Sequence, residues 1–322
     1  MPDPVTLERK SASARHAKNG RFRVMIFRPR GYYPAGTICS PIGQFHADDE
    51  IAFSVTRGTP WPEELPYSEV NWLGPDDIRL LGSMMLTEPF LDGPRCCFDP
   101  VPFVIPIVER DLDLSYAGTA VRVKRALLAA TGQPEFVDLQ TILDDGLSGG
   151  RKPFSPDNLS LEMQPEYLAH ISSDDHVLVR GLHALIKADM LSRHAEFWEE
   201  AAIATYISME ASFELVRRRL RASGIIDPTA REAGEWLYRT FDEPLGAHGA
   251  DGMRYFEEFY AQRIQTRHPG SRFGDAPYAP IMADDYFHLR TALPGVFGYL
   301  AIGRHSRRFE LLCAERRAIE SA

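Results

Sequence analysis

Between Tyr260 and Gly274 the chain reads YAQRIQTRHPGSRFG. Arg263, Arg267 and Arg272 supply guanidinium groups, and His268 supplies an imidazole directly before Pro269. Guanidinium forks hold phosphate oxygens through paired hydrogen bonds. An imidazole beside fixed cations is expected to lose its proton more readily than usual and to act as a base near pH 7. Together these groups suit metal-free cleavage of RNA. The base takes the proton of a ribose 2′-hydroxyl, that oxygen attacks the neighbouring phosphorus, and the guanidinium groups stabilise the charge on the phosphate oxygens. Such a reaction calls for no cofactor and no metal.

The positioning element is an expected helix from Met253 to Arg267. At the helical repeat, Met253, Phe256, Tyr260 and Ile264 fall within about 80° of arc and form its apolar face. Arg267 lies inside that arc and Arg263 about 20° beyond its edge. An arginine aimed at a core face is costly unless it is paired or lines a cleft, so the two are expected to line a pocket at the helix end. Pro269 pushes His268 out of helical geometry, and Gly270 and Gly274 permit sharp turns after it. His268 is thereby free to turn toward the arginines. Tyr260 and Arg272 are further candidates for substrate or phosphate contacts.

Arg263, four intervening residues and His268, at the end of a late helix, resemble the Arg-x4-6-His motif of the HEPN superfamily. The resemblance covers at most the C-terminal half of the chain. It implies a helical bundle, often a metal-independent endoribonuclease of toxin–antitoxin, abortive-infection or CRISPR systems. It also implies a homodimer in which two motifs face each other across a cleft, with Arg263 and His268 as the motif pair. RNA and a cognate antitoxin protein are the partners that follow from it. Active members often carry a polar residue directly after the arginine, and here Ile264 stands there.

Two other readings compete. One is a non-catalytic HEPN-like module that binds RNA, nucleotide or a partner protein. The other is a metal-dependent bundle enzyme using Asp284, Asp285 and His288, which are spaced for one helix face. His194 with Glu196, Glu199 and Glu200 lacks a convergent order. His46 with Asp48, Asp49 and Glu50 reads as a solvated acidic loop. Glu210 is a candidate for orienting an arginine of the pocket. The run Arg217, Arg218, Arg219 and Arg221 reads as a solvated helix end, where cations complement the helix dipole.

The framework around these residues is an α+β N-terminal domain followed by an all-α bundle. Residues 1–20 read as a disordered tail, 21–150 as the α+β domain, of unassigned role, and 151–322 as the bundle. Arg21 to Arg28 and Glu50 to Thr56 alternate polar and apolar, as half-buried strands do. Val101 to Val108 is an apolar run broken by prolines, which places it at a sheet edge. Gly118 to Thr131 reads as a helix. The Gly-, Ser- and Pro-rich stretch Asp144 to Asn158 is the linker. Helical patterns then follow one another. The first is capped by Ser173 or Asp174, the next runs from Ala195 to Gly224, and a third is capped by Asp227. Met282 to Gly303, kinked at Pro294, and a final helix from Ser306 complete the set.

Composition bounds the rest. The chain has 322 residues, a net charge of -9, 44% hydrophobic and 25% charged residues. A binder that meets nucleic acid with its whole surface would be basic, so any such contact must be a local patch. No apolar run reaches the roughly 18 residues of a membrane span, and the N-terminus has no signal-peptide core. A cytoplasmic protein that does not contact a membrane is expected. Cys39, Cys96, Cys97 and Cys313 form no C-x-x-C pair, so zinc knuckles and disulfide frameworks are not expected.

Overall fold

The computed structural model describes residues 22–28, 31–59, 61, 73–88, 95–101, 105–107, 112–131, 160–246 and 283–320. Two compact units divide the chain: Met1–Met84 with Pro94–Leu159, and Met85–Gly93 with Ser160–Ala322.

In the first unit an antiparallel sheet is built from β1 (Phe22–Phe27), β2 (Gly36–Cys39), β3 (Gly43–Ala47), β4 (Ala52–Arg57) and β5 (Ile105–Ile107), in the order β2-β3-β4-β1-β5. β5, which contains Pro106, lies at the sheet edge, as expected of the proline-broken run. β2 and β3 join through a tight turn in which the Ser40 amide donates to the Gly43 carbonyl at 2.9 Å. A Cβ on Gly43 would stand 2.8 Å from the Val55 carbonyl oxygen, so glycine is needed for strands this close. Two helices follow within the unit, α1 (Pro75–Met85) and α2 (Gly118–Thr131).

β1 was expected to be half-buried, yet all six of its residues are buried. The reason is that helices cover both faces of the sheet. On one face Val24, Ile26, Phe53 and Val55 pack with Ala120, Val123 and Leu127 of α2. The alternate residues of the strands point to the other face. There Thr56 Oγ1 donates to Asp77 of α1 at 2.5 Å, and Arg23 pairs with the same carboxylate at 2.9 Å. Arg23, a polar position that sequence alternation assigns to solvent, is thus buried by pairing. Phe27, Tyr33, Phe45 and Phe98 form an aromatic cluster, with neighbouring ring centroids 5.3–6.3 Å apart.

The described residues of the second unit are helical, without strands. They form α3 (Gln164–His170), α4 (His176–Leu191), α5 (Trp198–Ala222), α6 (Ala230–Leu237), α7 (Ala283–Ile302) and α8 (Arg307–Glu320). Caps differ from expectation in two places. Asp175, not Ser173 or Asp174, caps α4 by accepting from the Leu178 amide. Thr229, not Asp227, caps α6, and Glu232 returns the bond in a capping box. Asp227 instead takes the left-handed conformation, with φ of 50°. α4 and α5 run antiparallel and in close contact. A Cβ on Gly181 would meet Phe297 Cζ of α7 at 2.5 Å and Ala211 Cβ of α5 at 3.1 Å. Pro294 lies inside α7.

One ionic cluster sits within this apolar packing. Arg290 of α7 is 2% exposed, Asp189 of α4 is 0% and Glu88 is 2%. Arg290 Nε and Nη2 donate to the two carboxylate oxygens of Asp189 at 2.6 and 3.0 Å. Its Nη1 and Nη2 donate to Glu88 at 2.7 and 3.2 Å. Tyr286 adds a bond to Asp189 at 3.0 Å. Burial opposes the charge on Arg290, but the Asp189 and Glu88 carboxylates outweigh it and hold the guanidinium protonated. Replacing one partner of such a cluster strands the others. Arg290→Met should therefore lower stability by about 3–5 kcal/mol in chemical denaturation.

Candidate functional site

Arg263, His268, Arg267, Arg272 and Tyr260 all lie outside the described residues, as does the expected helix from Met253 to Arg267. The chain before them is described to Gly246 and resumes with α7. After α6 the backbone widens into a π-helix, Tyr238–Asp242, and tightens into a 3₁₀ turn, Glu243–Leu245. Gly246 ends that turn with φ of 84°, a conformation that glycine adopts without strain. π-turns recur at functional sites because the extra residue re-aims side chains out of the regular ladder.

Around this π-turn the second unit gathers its aromatic and titratable groups. Phe241, Tyr299, His305, Phe309, Tyr167 and Glu88 line a small, open pocket. The His305 ring stacks on Phe309 at 4.0 Å and lies 4.5 Å from Tyr299. Phe241 meets it edge-on at 5.2 Å. Burial pushes the His305 imidazole below its usual range, while Glu310 and a backbone bond with Thr240 pull the other way. Asp242, at the end of the π-turn, keeps Oδ2 buried without a hydrogen-bond partner. Burial raises its carboxyl to about 7. Outside the pocket the Arg219 guanidinium lies over both Trp236 and Tyr299, at 5.7 and 5.4 Å. Such a surface can stack a planar group. These residues escaped the sequence reading because no spacing links them. The one local sign was the basic run Arg304, His305, Arg307 and Arg308 beside Phe309.

The other sequence candidates separate by environment. At the end of α5, Glu214 pairs with Arg217, Arg218 and Arg221. That is the solvated helix end expected there, with Arg219 turned to the rings instead. Glu210 stands half-buried on α5, and the arginines it was expected to orient fall outside the described residues. His288 is exposed, and the side chains of Asp284 and Asp285 are not among those described. Among the described residues no three His, Cys, Asp or Glu stand close enough to hold a metal ion. His46 is not in a solvated loop. It is a β3 residue, 8% exposed, bonded to Asp48 at 3.0 Å. The four cysteines are free thiols, with Cys96 and Cys313 buried. No helix among the described residues is long and apolar enough to cross a membrane.

His183 of α4 is 3% exposed, and its Nε2 has no hydrogen-bond partner. Burial, then the charges of Lys187 and Arg180, lower its imidazole to about 3. It is a neutral core histidine.

No family model, no curated protein and no solved structure matches this chain.

His183 and Asp242 act on stability in opposite senses. His183 titrates lower in the folded chain than in the unfolded one, where its value is near 6.5. Its neutral burial is therefore uncompromised above pH 6.5, and stability falls as pH drops from there toward 3, by up to about 1.4 kcal/mol per unit. His183→Leu should abolish that acid-side loss in urea midpoints measured across pH 3–7. Asp242 titrates higher when folded, about 7 against 3.8. Its contribution is complete below pH 3.8 and is lost as pH rises to about 7. Asp242→Asn should remove that slope and exceed the wild type in stability above pH 7, read from the same midpoints extended to pH 8.

Proposed function

We propose that this chain is a metal-independent endoribonuclease of the toxin or phage-defence type. The observation that carries the proposal is the Arg263-x4-His268 spacing before Pro269, set in a C-terminal unit whose described residues are helical. His268 takes the proton from the ribose 2′-hydroxyl. Arg263 stabilises the charge that develops on the phosphate, and Arg267 and Arg272 hold flanking phosphates. Tyr260 contacts the substrate beside them. The active form is a homodimer that brings two motifs together, and an antitoxin protein restrains it. The overall acidity of the chain, -9, favours a local basic site over a broad nucleic-acid surface.

A second reading, an RNA- or nucleotide-binding module without cleavage, is favoured by two features. Ile264 follows the motif arginine, and Tyr299, His305 and Arg219 offer ring faces and a cation suited to bases and phosphates. The discriminating assay incubates RNA with the wild type, Arg263→Ala and His268→Ala, each with and without EDTA. Cleavage that survives EDTA and drops about 10²-fold or more in each variant is expected for the nuclease. Cleavage indifferent to both substitutions overturns it. RNA binding without cleavage by any form establishes the second reading in its place.

A further inference from the structure

The polar chain on the β2–β3 edge of the N-terminal unit has the layout of an activated nucleophile. Thr37 of β2 and His46 of β3 are cross-strand partners. The ladder alternates between pairs that exchange backbone bonds and pairs that do not. Ser40 bonds backbone to backbone with Gly43, so Thr37 and His46 fall in a pair that does not, where side chains approach most closely. Thr37 Oγ1 accordingly lies 2.8 Å from His46 Nδ1. On the other side of the ring, His46 Nε2 lies 3.0 Å from Asp48 Oδ2.

The carboxylate fixes the direction of this chain. Burial opposes the charge on Asp48. Bonds from the Lys124 ammonium, from the Glu50 and Ile51 amides and from His46 outweigh it and hold the group well below the usual carboxylate range. Ionised Asp48 only accepts, so Nε2 of the neutral ring carries the proton. Nδ1 then keeps its lone pair and accepts from the Thr37 hydroxyl. Hydroxyl, imidazole and carboxylate thus stand in sequence, which is the signature of an activated hydroxyl nucleophile.

The surroundings fit that role. Thr37 is half-buried, and β2 is the outer strand of the sheet. Because Thr37 is in a pair without backbone bonds, its own amide points away from β3, off the sheet edge. That amide is a donor placed for an oxyanion formed at Thr37. Fastening alone does not require the threonine, since Lys124 already ties α2 to the β3–β4 turn through Asp48 and Glu50.

We propose that Thr37, His46 and Asp48 form an acyl-transfer site for esters, with Thr37 as nucleophile and His46 as base. Thr37 Oγ1 bonds to the carbonyl carbon, and its proton passes to His46 Nδ1. The carbon–oxygen bond to the leaving alcohol breaks, and His46 returns the proton to the departing oxygen. Water, deprotonated by the same nitrogen, then releases the acid and restores Thr37. Asp48 is a positioning residue that sets the tautomer.

The test treats the full chain with a fluorophosphonate probe, which swaps its fluoride for an activated hydroxyl oxygen, and follows the adduct by intact mass and peptide mapping. One adduct at Thr37 is expected. It should form faster in Thr37→Ser, be absent in Thr37→Ala, and form about 10²-fold more slowly in His46→Ala. Asp48→Asn should slow labelling and change its pH profile, because the amide no longer fixes the proton on Nε2. Thermal melting of each variant is read alongside. Should His46→Ala fail to fold, the mapped adduct and the Thr37→Ser and Asp48→Asn rates decide. An unlabelled Thr37 in both the wild type and Thr37→Ser overturns the proposal. So does a folded His46→Ala or Asp48→Asn variant that labels as the wild type does.

Discussion

The helical unit depends on one buried guanidinium. Arg290 reaches Asp189, 101 residues earlier, and Glu88, 202 residues earlier. It gathers α7, α4 and Glu88 around a single charge. A charge taken from water is costly, and only a well-placed set of carboxylates offsets that cost. Geometry is therefore demanding at this point: each donor has one direction, and apolar packing around it must keep that direction. Tyr286, one turn before Arg290, shares the same Asp189 oxygen and also packs on Ala188, Ala201 and Ala204. The aromatic pocket takes Glu88 as one of its walls, so a residue of the clamp also lines the pocket.

The parts of this fold legible in sequence are those with a strong local period. Gly118 to Thr131 reads as a helix and is one. The long helical run ends at Gly224, which takes φ of 98°. The proline-broken strand lies at a sheet edge. What was missed lacks a local signal or carries a contrary one. β2 and β3 have four and five residues, include glycines, and gain their regularity from pairing rather than propensity. α1 begins at Pro75, which stands at the first helical position, where no amide is needed. The Thr229 capping box was visible as a threonine three residues before a glutamate, yet Asp227 and Pro228 drew the helix start two residues early.

Functional groups divide along the same line. Arg263 and His268 are read from spacing in sequence, and chemistry gives that spacing its meaning. Thr37, His46 and Asp48 cannot be found that way, because their relation is the register of β2 against β3. His46 looked like part of an acidic loop only because its neighbours in sequence are Asp48, Asp49 and Glu50. In the fold two of those acids face Lys124 of a distant helix, and the imidazole turns to a threonine on the next strand. The Arg290 clamp is equally silent in sequence, since its partners are set by tertiary packing.

The proposed cleavage of RNA proceeds by attack of the adjacent 2′-hydroxyl, with no water as first nucleophile. The chemistry of the new ends records this directly. Mass spectrometry of RNA fragments produced by the purified protein should show 2′,3′-cyclic phosphate on the 5′-side fragment and a free 5′-hydroxyl on the other. Fragments ending in 3′-hydroxyl with 5′-phosphate would contradict the account.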